Sequence, residues 1–422
     1  MKQLILLILI FPTSLFSQGW IKTCGNGEGL SLQETIDGGF IISGCTLYNN
    51  YPDDVYIIKT DNNGDTLWTR TFNRAAEECG YSIRQTLDSG YIIAGFSNIY
   101  GPGDDTYLIK TDVNGDTLWT KVYHDDRHNF GLSCIQTSEG GYIICGTKIN
   151  FGTSGDILLL KTNENGDTLW TKTYGGNNEE RGFSVQQTND GGYIITGSTE
   201  TDSTAYDVYL IKTNEIGDTL WTKTFGGDDY DIGFSVRQTT DGGYIIAGQI
   251  SNPDNYDVYL IKTNENGDTQ WTKTYDGNYH TVGRSVFPTT DGGYVITGYT
   301  GSNSNGNEVY IIKTDGNGDT LWTKTYGENF TNLGYSVIET SNGMYVVAGT
   351  TYPTDNTANV LLIKVDSDGN LVNTIEIPVP NTNRKLVKIF DLTGREIPAP
   401  QRNNPYIELY NDGTTQKKMI LK

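Results

Sequence analysis

Three histidines occur in the 422-residue chain, and two of them, His124 and His128, bracket Asp125, Asp126 and Arg127. Histidines at i and i+4 converge on a metal when the segment is helical; this stretch lies between two strand-like runs, so the pair reads as adventitious. Other carboxylates gather in comparable stretches: Glu179 and Glu180 beside Arg181, and Asp228, Asp229 and Asp231 around Tyr230. Two such acids about 5–10 Å apart in a cleft would suit glycoside hydrolysis, whereas acids scattered around a rim would suit binding. Tyr279, His280 and Phe330 add aromatic surface to two further stretches of the same kind. The turns Asp61-Asn62-Asn63-Gly64-Asp65, Asp112 to Asp116 and Asp315 to Asp319 alternate carboxylates and amides, as calcium loops do. They lack the closing bidentate glutamate, and related copies begin with Asn163, Asn214 or Asn264, so hairpin turns are expected and no cofactor is required; calcium stays an alternative. None of G-x-S-x-G, H-E-x-x-H, C-x-x-C or a phosphate-cradling glycine loop is present.

What positions these groups is a repeat. The stretch DVYLIKTNEIGDTLWTKTFGG, residues 207–227, recurs in near-copies whose tryptophans are Trp68, Trp119, Trp170, Trp221, Trp271 and Trp322, spaced 50 or 51 residues apart. Within the unit from Trp170 to Leu220, four β-rich runs (WTKTY, GFSVQQT, YIITGS, DVYLIKT) are separated by Gly/Asn/Asp turns. That is a four-stranded antiparallel blade. YIITG and VYLIK are apolar on successive residues, as expected of strands covered on both faces. The GGYIIAG-type strand occurs seven times, but the seventh unit carries Asn373 where tryptophan belongs. A seventh tryptophan, Trp20, sits in GWIKTC (19–24), which is therefore predicted to pair as the outermost strand of the last blade and close the ring. The fold predicted is all-β: a seven-bladed β-propeller over 18–374, followed by a small β-sandwich-like domain over 375–422.

Residues 1–17, MKQLILLILIFPTSLFS, read as a signal peptide cut before Gln18, with no transmembrane anchor left in the mature chain. The formal charge of −21 argues against a nucleic-acid partner. The charge changes sign at the end of the repeats: 375–422 holds eight Lys/Arg and five Asp/Glu, which marks a domain boundary. Five cysteines (Cys24, Cys45, Cys79, Cys134, Cys145) leave at least one without an intrachain partner. Buried thiols are expected, with a Cys134–Cys145 bridge across one hairpin as the rival.

The units D-V-Y-L-I-K-T…N-G-D-T-L-W…G-G and D-G-G-Y-I-I-T-G resemble bacterial seven-bladed propeller repeats of secreted and cell-surface proteins. VKIFDLTGREI (387–397) and DGTTQKKMILK (412–422) resemble the C-terminal sorting domain of the type IX secretion system. The resemblance implies export by that secretion machinery and a secreted or outer-surface location.

In such a blade the turns after the first and third strands share one face of the disc. Here those turns hardly vary, while the connections on the opposite face vary freely and are rich in Tyr, Asn and Asp. A binding surface for an extracellular polysaccharide or protein is therefore expected on the variable face, without catalysis. Its candidate residues are His124 to His128, Glu179 to Arg181, Asp228 to Tyr230, Tyr279, His280 and Phe330. A secreted glycan hydrolase or lyase, or a passive envelope protein, are the alternatives. The acids opening the third strands (Asp54, Asp105, Asp156, Asp207, Asp257, Glu308) are expected to cap those strands or to pair with repeat lysines such as Lys59 or Lys172.

Overall fold

The computed structural model describes residues 19–48, 51–73, 77–98, 103–124, 128–149, 154–202, 205–227, 229–252, 255–276, 279–301, 306–327, 330–354, 357–371, 386–391, 395–399, 405–410 and 415–419. The signal-peptide reading of residues 1–17 lies outside them, as do Asp125, Asp126, Arg127 and Asp228. The chain divides into two units, residues 1–372 and 373–422.

The first unit forms seven four-stranded antiparallel sheets among the described residues. Blade 4 is typical: Glu180–Gln187, Tyr193–Asp202, Ala205–Thr213 and Thr219–Phe225 run from the innermost strand outward. The innermost strands of blades 1, 2, 3, 5, 6 and 7 are Glu28–Glu34, Glu78–Gln85, His128–Gln136, Ile232–Gln238, Thr281–Pro288 and Thr331–Glu339. Blade 7 takes its fourth strand from the N-terminus: Trp20–Asn26 pairs with Thr357–Val365, in the register Trp20↔Lys364 to Thr23↔Leu361. In the second unit, Leu386–Asp391, Pro405–Tyr410 and Thr415–Met419 make one antiparallel sheet.

Burial follows the apolar pattern. Every residue of Tyr91–Ser97 and Asp105–Thr111 is buried, whereas outermost strands such as Thr219–Phe225 alternate between exposed and half-buried positions. Each tryptophan lies on an outermost strand and covers a turn glycine of the following blade. Trp68 sits against Gly115, whose φ of +78° puts it in the left-handed region; a Cβ there would fall 2.7 Å from the indole. Glycine is thus required twice over, by backbone conformation and by close approach. The indole also meets the next blade's Tyr91 edge-on at 6.0 Å. On the same strands, Lys121, Lys172 and Lys223 pair at 2.9 Å with Asp167, Asp218 and Asp268 of the following blade.

The cysteines correct one expectation. Cys134 and Cys145 sit on adjacent strands but face opposite sides of the sheet, Cys134 packing with blade 2 and Cys145 with blade 4, and both thiols are free. The disulfide instead joins Cys45 of blade 1 to Cys79 of blade 2, with 4.8 Å between their Cα atoms. It closes a loop of 34 residues. Reduction is expected to lower unfolding free energy by about 3–4 kcal/mol through the freed chain entropy. Denaturant titrations with and without reductant measure this, and a Cys45→Ala, Cys79→Ala variant should match the reduced protein and ignore reductant.

Candidate functional site

The two faces of the propeller are built differently. On the invariant face, Thr188 begins a turn in which Asp190 Oδ1 accepts from Thr188 Oγ1 (2.5 Å) and the Gly192 N–H (3.1 Å). Lys212, at the end of the third strand, reaches the same carboxylate at 2.8 Å and donates to the Thr213 carbonyl at 2.9 Å. Six blades repeat the arrangement, with Lys59–Asp37, Lys110–Asp88, Lys161–Glu139, Lys262–Asp241 and Lys313–Asp291 at 2.8–3.0 Å. Lys59 therefore pairs with a turn acid and Lys172 with the next blade's Asp218; neither serves a strand-opening acid, because those acids lie at the other end of the third strand. In the second turn, Asn214 Oδ1 accepts from the N–H groups of Ile216 (3.1 Å) and Asp218 (2.8 Å). Asp61 does the same for Asn63 and Asp65. The side chains that looked like calcium ligands thus bond the turn backbone and the neighbouring lysine.

On the variable face, loops entering several blades are stitched to a loop of the preceding blade or of their own. The Asp231 N–H donates to the Tyr206 carbonyl at 2.6 Å, and the Asn129 N–H donates to Asp104 at 2.6 Å. The Glu200 N–H donates to the Glu179 carbonyl (2.8 Å) and the Gly301 N–H to His280 (2.9 Å). The first two bonds hold equivalent positions of neighbouring blades side by side, a third such pair meets through its side chains, and the residues there change. They are Asp104 with His128, Tyr206 with Tyr230, and Tyr256 with His280. His128 Nδ1 lies 3.3 Å from the Asp104 carboxylate; the tyrosines stack at 5.3 Å; Tyr256 and His280 meet at 5.2 Å.

The predicted residues fall into separate groups. His124 turns to Asp105 (2.9 Å) and His128 to Asp104, so each imidazole has its own carboxylate. Glu179 pairs with Arg181 and accepts from the Tyr206 hydroxyl at 3.0 Å; with Tyr230 on Tyr206 this makes one continuous cluster. Glu180 is buried, bonded to the Gly176 N–H and Thr199 Oγ1. Burial raises its pKa above the ordinary glutamate value, and the charges of Asp156 and Glu200 add to this. Asp231 is likewise raised by burial and by the charges of Asp207 and Asp229, while accepting from Gly227 (2.7 Å) and Ser251 (2.8 Å). Both acids tie down loop backbone. Tyr230 and Phe330 are exposed, 43% and 45%, and Tyr279 packs under Gly301. Tyr206, Tyr256 and Asp104 were missed; each immediately precedes a strand-opening acid, which is the signal that finds them.

Sequence reasoning did not identify the side chains that line the channel. One side chain per blade forms a layer across it: Gln33, Arg84, Ile135, Gln186, Arg237, Phe287 and Ile338 surround a cavity of about 220 Å³. A second cavity of about 500 Å³ opens on the invariant face, over Ile36, Leu87 and Ser138, and shares Gln33, Arg84 and Ile135 with the first.

No protein-family model matches the chain, and no curated protein matches it by sequence. Solved structures share its fold. The Neurospora crassa Pan2 WD40 domain superposes with a TM-score of 0.51 at 9% identity, over 82% of this chain and 96% of that one. YCF48 bound to D1 peptide gives 0.50 at 8%, over 84% and 96%. Puromycin hydrolase gives 0.52 at 11%, over 92% of this chain and 59% of the enzyme. At these identities the likeness is one of fold.

Proposed function

We propose that this chain is a non-catalytic binding scaffold, exported to the cell exterior, that grips an extended polypeptide across its variable-loop face. One observation carries it: equivalent positions of neighbouring blades meet at three junctions, two of them through backbone hydrogen bonds, and display a different side-chain pair at each. A rigid frame with interchangeable contacts is how a repeat scaffold acquires a ligand. The stacked and exposed aromatics suit a peptide, since tyrosine offers large contact area at low entropic cost. Among propellers of this fold, YCF48 is seen bound to a D1 peptide, which supports a peptide over other partners. Export rests on residues 1–17 and on the resemblance of 387–397 and 412–422 to a type IX sorting domain.

Immobilised residues 18–422 are to be probed with a peptide array and a glycan array. The expected result is peptide capture that falls at least tenfold in a Tyr206→Ala, Tyr230→Ala, Tyr256→Ala, His280→Ala variant with unchanged circular dichroism. Capture of glycans alone would move the partner class to polysaccharide. Binding indifferent to the fourfold variant would remove this face as the site.

A further inference from the structure

The channel combines two features that nothing in the fold requires. The first is charge. In a chain of net charge −21, the layer across the channel holds two guanidiniums and no carboxylate. Arg84 is anchored through one nitrogen, to Ser31 Oγ at 3.2 Å and the Ile83 carbonyl at 2.6 Å; Arg237 is anchored through one nitrogen to the Val236 carbonyl at 2.9 Å. A guanidinium has five N–H donors, so both keep donors for the channel. Gln33 and Gln186 add to this: their Oε1 atoms accept from the Gln85 N–H (2.7 Å) and the Gln238 N–H (2.6 Å), which leaves their NH2 groups as the free ends. Every polar side chain of the layer therefore offers donors. Burial, together with the charge of Arg84, brings Arg237 down to about 10, and no acid stands beside them in the layer.

The second feature is apolar. At the first position after the turn threonine, blades 3 to 7 carry Ser138, Asn189, Thr240, Thr290 and Ser341, whereas blades 1 and 2 carry Ile36 and Leu87. These two are 88% and 83% exposed and stand together at the mouth of the larger cavity, directly above Arg84.

We propose that this channel mouth binds an organic monocarboxylate with an aliphatic arm, its carboxylate held between Arg84 and Arg237 and its arm laid over Ile36 and Leu87. A guanidinium pair matches a carboxylate bidentately. The acidic protein around it disfavours more highly charged anions, and the apolar mouth selects the arm. The same chemistry is offered by a free branched-chain acid and by the C-terminal residue of a polypeptide.

The test is thermal and calorimetric titration of residues 18–422 with 4-methylpentanoate, acetate, inorganic phosphate, N-acetyl-Gly-Leu and its amide, at matched ionic strength. Saturable binding of 4-methylpentanoate or N-acetyl-Gly-Leu at least tenfold tighter than acetate or the amide is expected. The tighter of the two acids identifies the source as free acid or chain end. Arg237→Gln relieves the charge repulsion, so its ligand-free melting temperature should hold or rise while its response to the acids is lost. Ile36→Ser with Leu87→Ser, the residue type of blades 3 and 7, should leave acetate binding unchanged and abolish the preference for the aliphatic arm. No saturable binding, phosphate equal to the acids, or an Arg237→Gln variant that binds as before would overturn the site.

Discussion

Deletion of residues 19–26 is expected to abolish cooperative unfolding of the propeller, a loss of more than about 5 kcal/mol and so comparable to the whole net stability of a domain. Between blades 7 and 1 the strand Trp20–Asn26 supplies the tryptophan, lysine and apolar contacts that the fourth strand supplies between other blades. Trp20 covers Gly64 of blade 1 and meets Phe40 at 6.3 Å, Lys22 pairs with Asp65, and the strand hydrogen-bonds along Thr357–Val365. Cys24 joins Leu32, Phe40 and Ile42 of blade 1 and Val346, Val360 and Leu362 of blade 7 in one apolar cluster. Without the strand, Thr357–Val365 becomes a free sheet edge, and an exposed apolar edge is an aggregation site. Calorimetry should show a broad, early transition, and a synthetic 19–26 peptide should restore part of it. Trp20→Ala is the milder form, costing about 2–4 kcal/mol by loss of packing. A deletion variant that melted within a few degrees of the full chain would show that blades 1 and 7 hold each other without the strand.

This joint could be read from sequence because its signals are local and periodic. The tryptophan interval, the seven glycine-rich strands and the missing seventh tryptophan together place Trp20 in blade 7 before any coordinate is known. Pairings that depend on register across blades could not be read in that way. The partner of Lys59 is the turn acid Asp37, nearer the same end of the sheet than Asp54, and only the strand register reveals which end that is. Cys45 and Cys79 meet because the second strand of one blade lies against the first strand of the next. The variable face was placed correctly as a set of loops, yet the pairing of Tyr206 with Tyr230 depends on bonds between loops whose sequences share no pattern. Arg84 and Arg237 were hidden for a different reason: each occupies an inner-strand position that other blades fill with glutamine, isoleucine or phenylalanine, so neither forms a motif.

The six lysine–acid joints on the invariant face should make the propeller fail in acid within a narrow window. Each lysine is at most 7% exposed, with a carboxylate that is more than half exposed. For Asp37, Asp88, Asp190, Asp241 and Asp291, burial pushes the carboxyl upward, but bonds from threonine, lysine and the turn N–H outweigh it and hold the group below its ordinary range; Asp291 comes down to about 2. Glu139 is lowered chiefly by its bond from Lys161. A depressed folded-state pKa means the stabilisation is complete above about pH 4 and is lost as pH falls toward 2. Because water screens the acids, each joint contributes on the order of 1 kcal/mol; six titrating together reach about 6 kcal/mol, enough to unfold a domain. Glu180, Asp207 and Asp231 work in the opposite direction. Burial raises all three, so their ionisation costs stability at neutral pH, and that cost is relieved as pH falls through their raised values. Stability measured by urea titration should therefore rise slightly as pH falls through the raised values of these three acids and collapse between about 4 and 2. Blade 7 supplies the internal control. Asn342 stands where the other blades have the acid, and Lys364, buried without that partner, is lowered by desolvation and bonds the Asn62 carbonyl at 3.1 Å. Asn342→Asp should raise stability at pH 7 and lose that gain as pH falls toward about 3, while Asp190→Ala, which strands Lys212 and removes the acceptor of Thr188 and Gly192, should cost more at pH 7 than near pH 3. If Asn342→Asp has no effect at either pH, the joints hold the turns by hydrogen bonding and their charges add nothing.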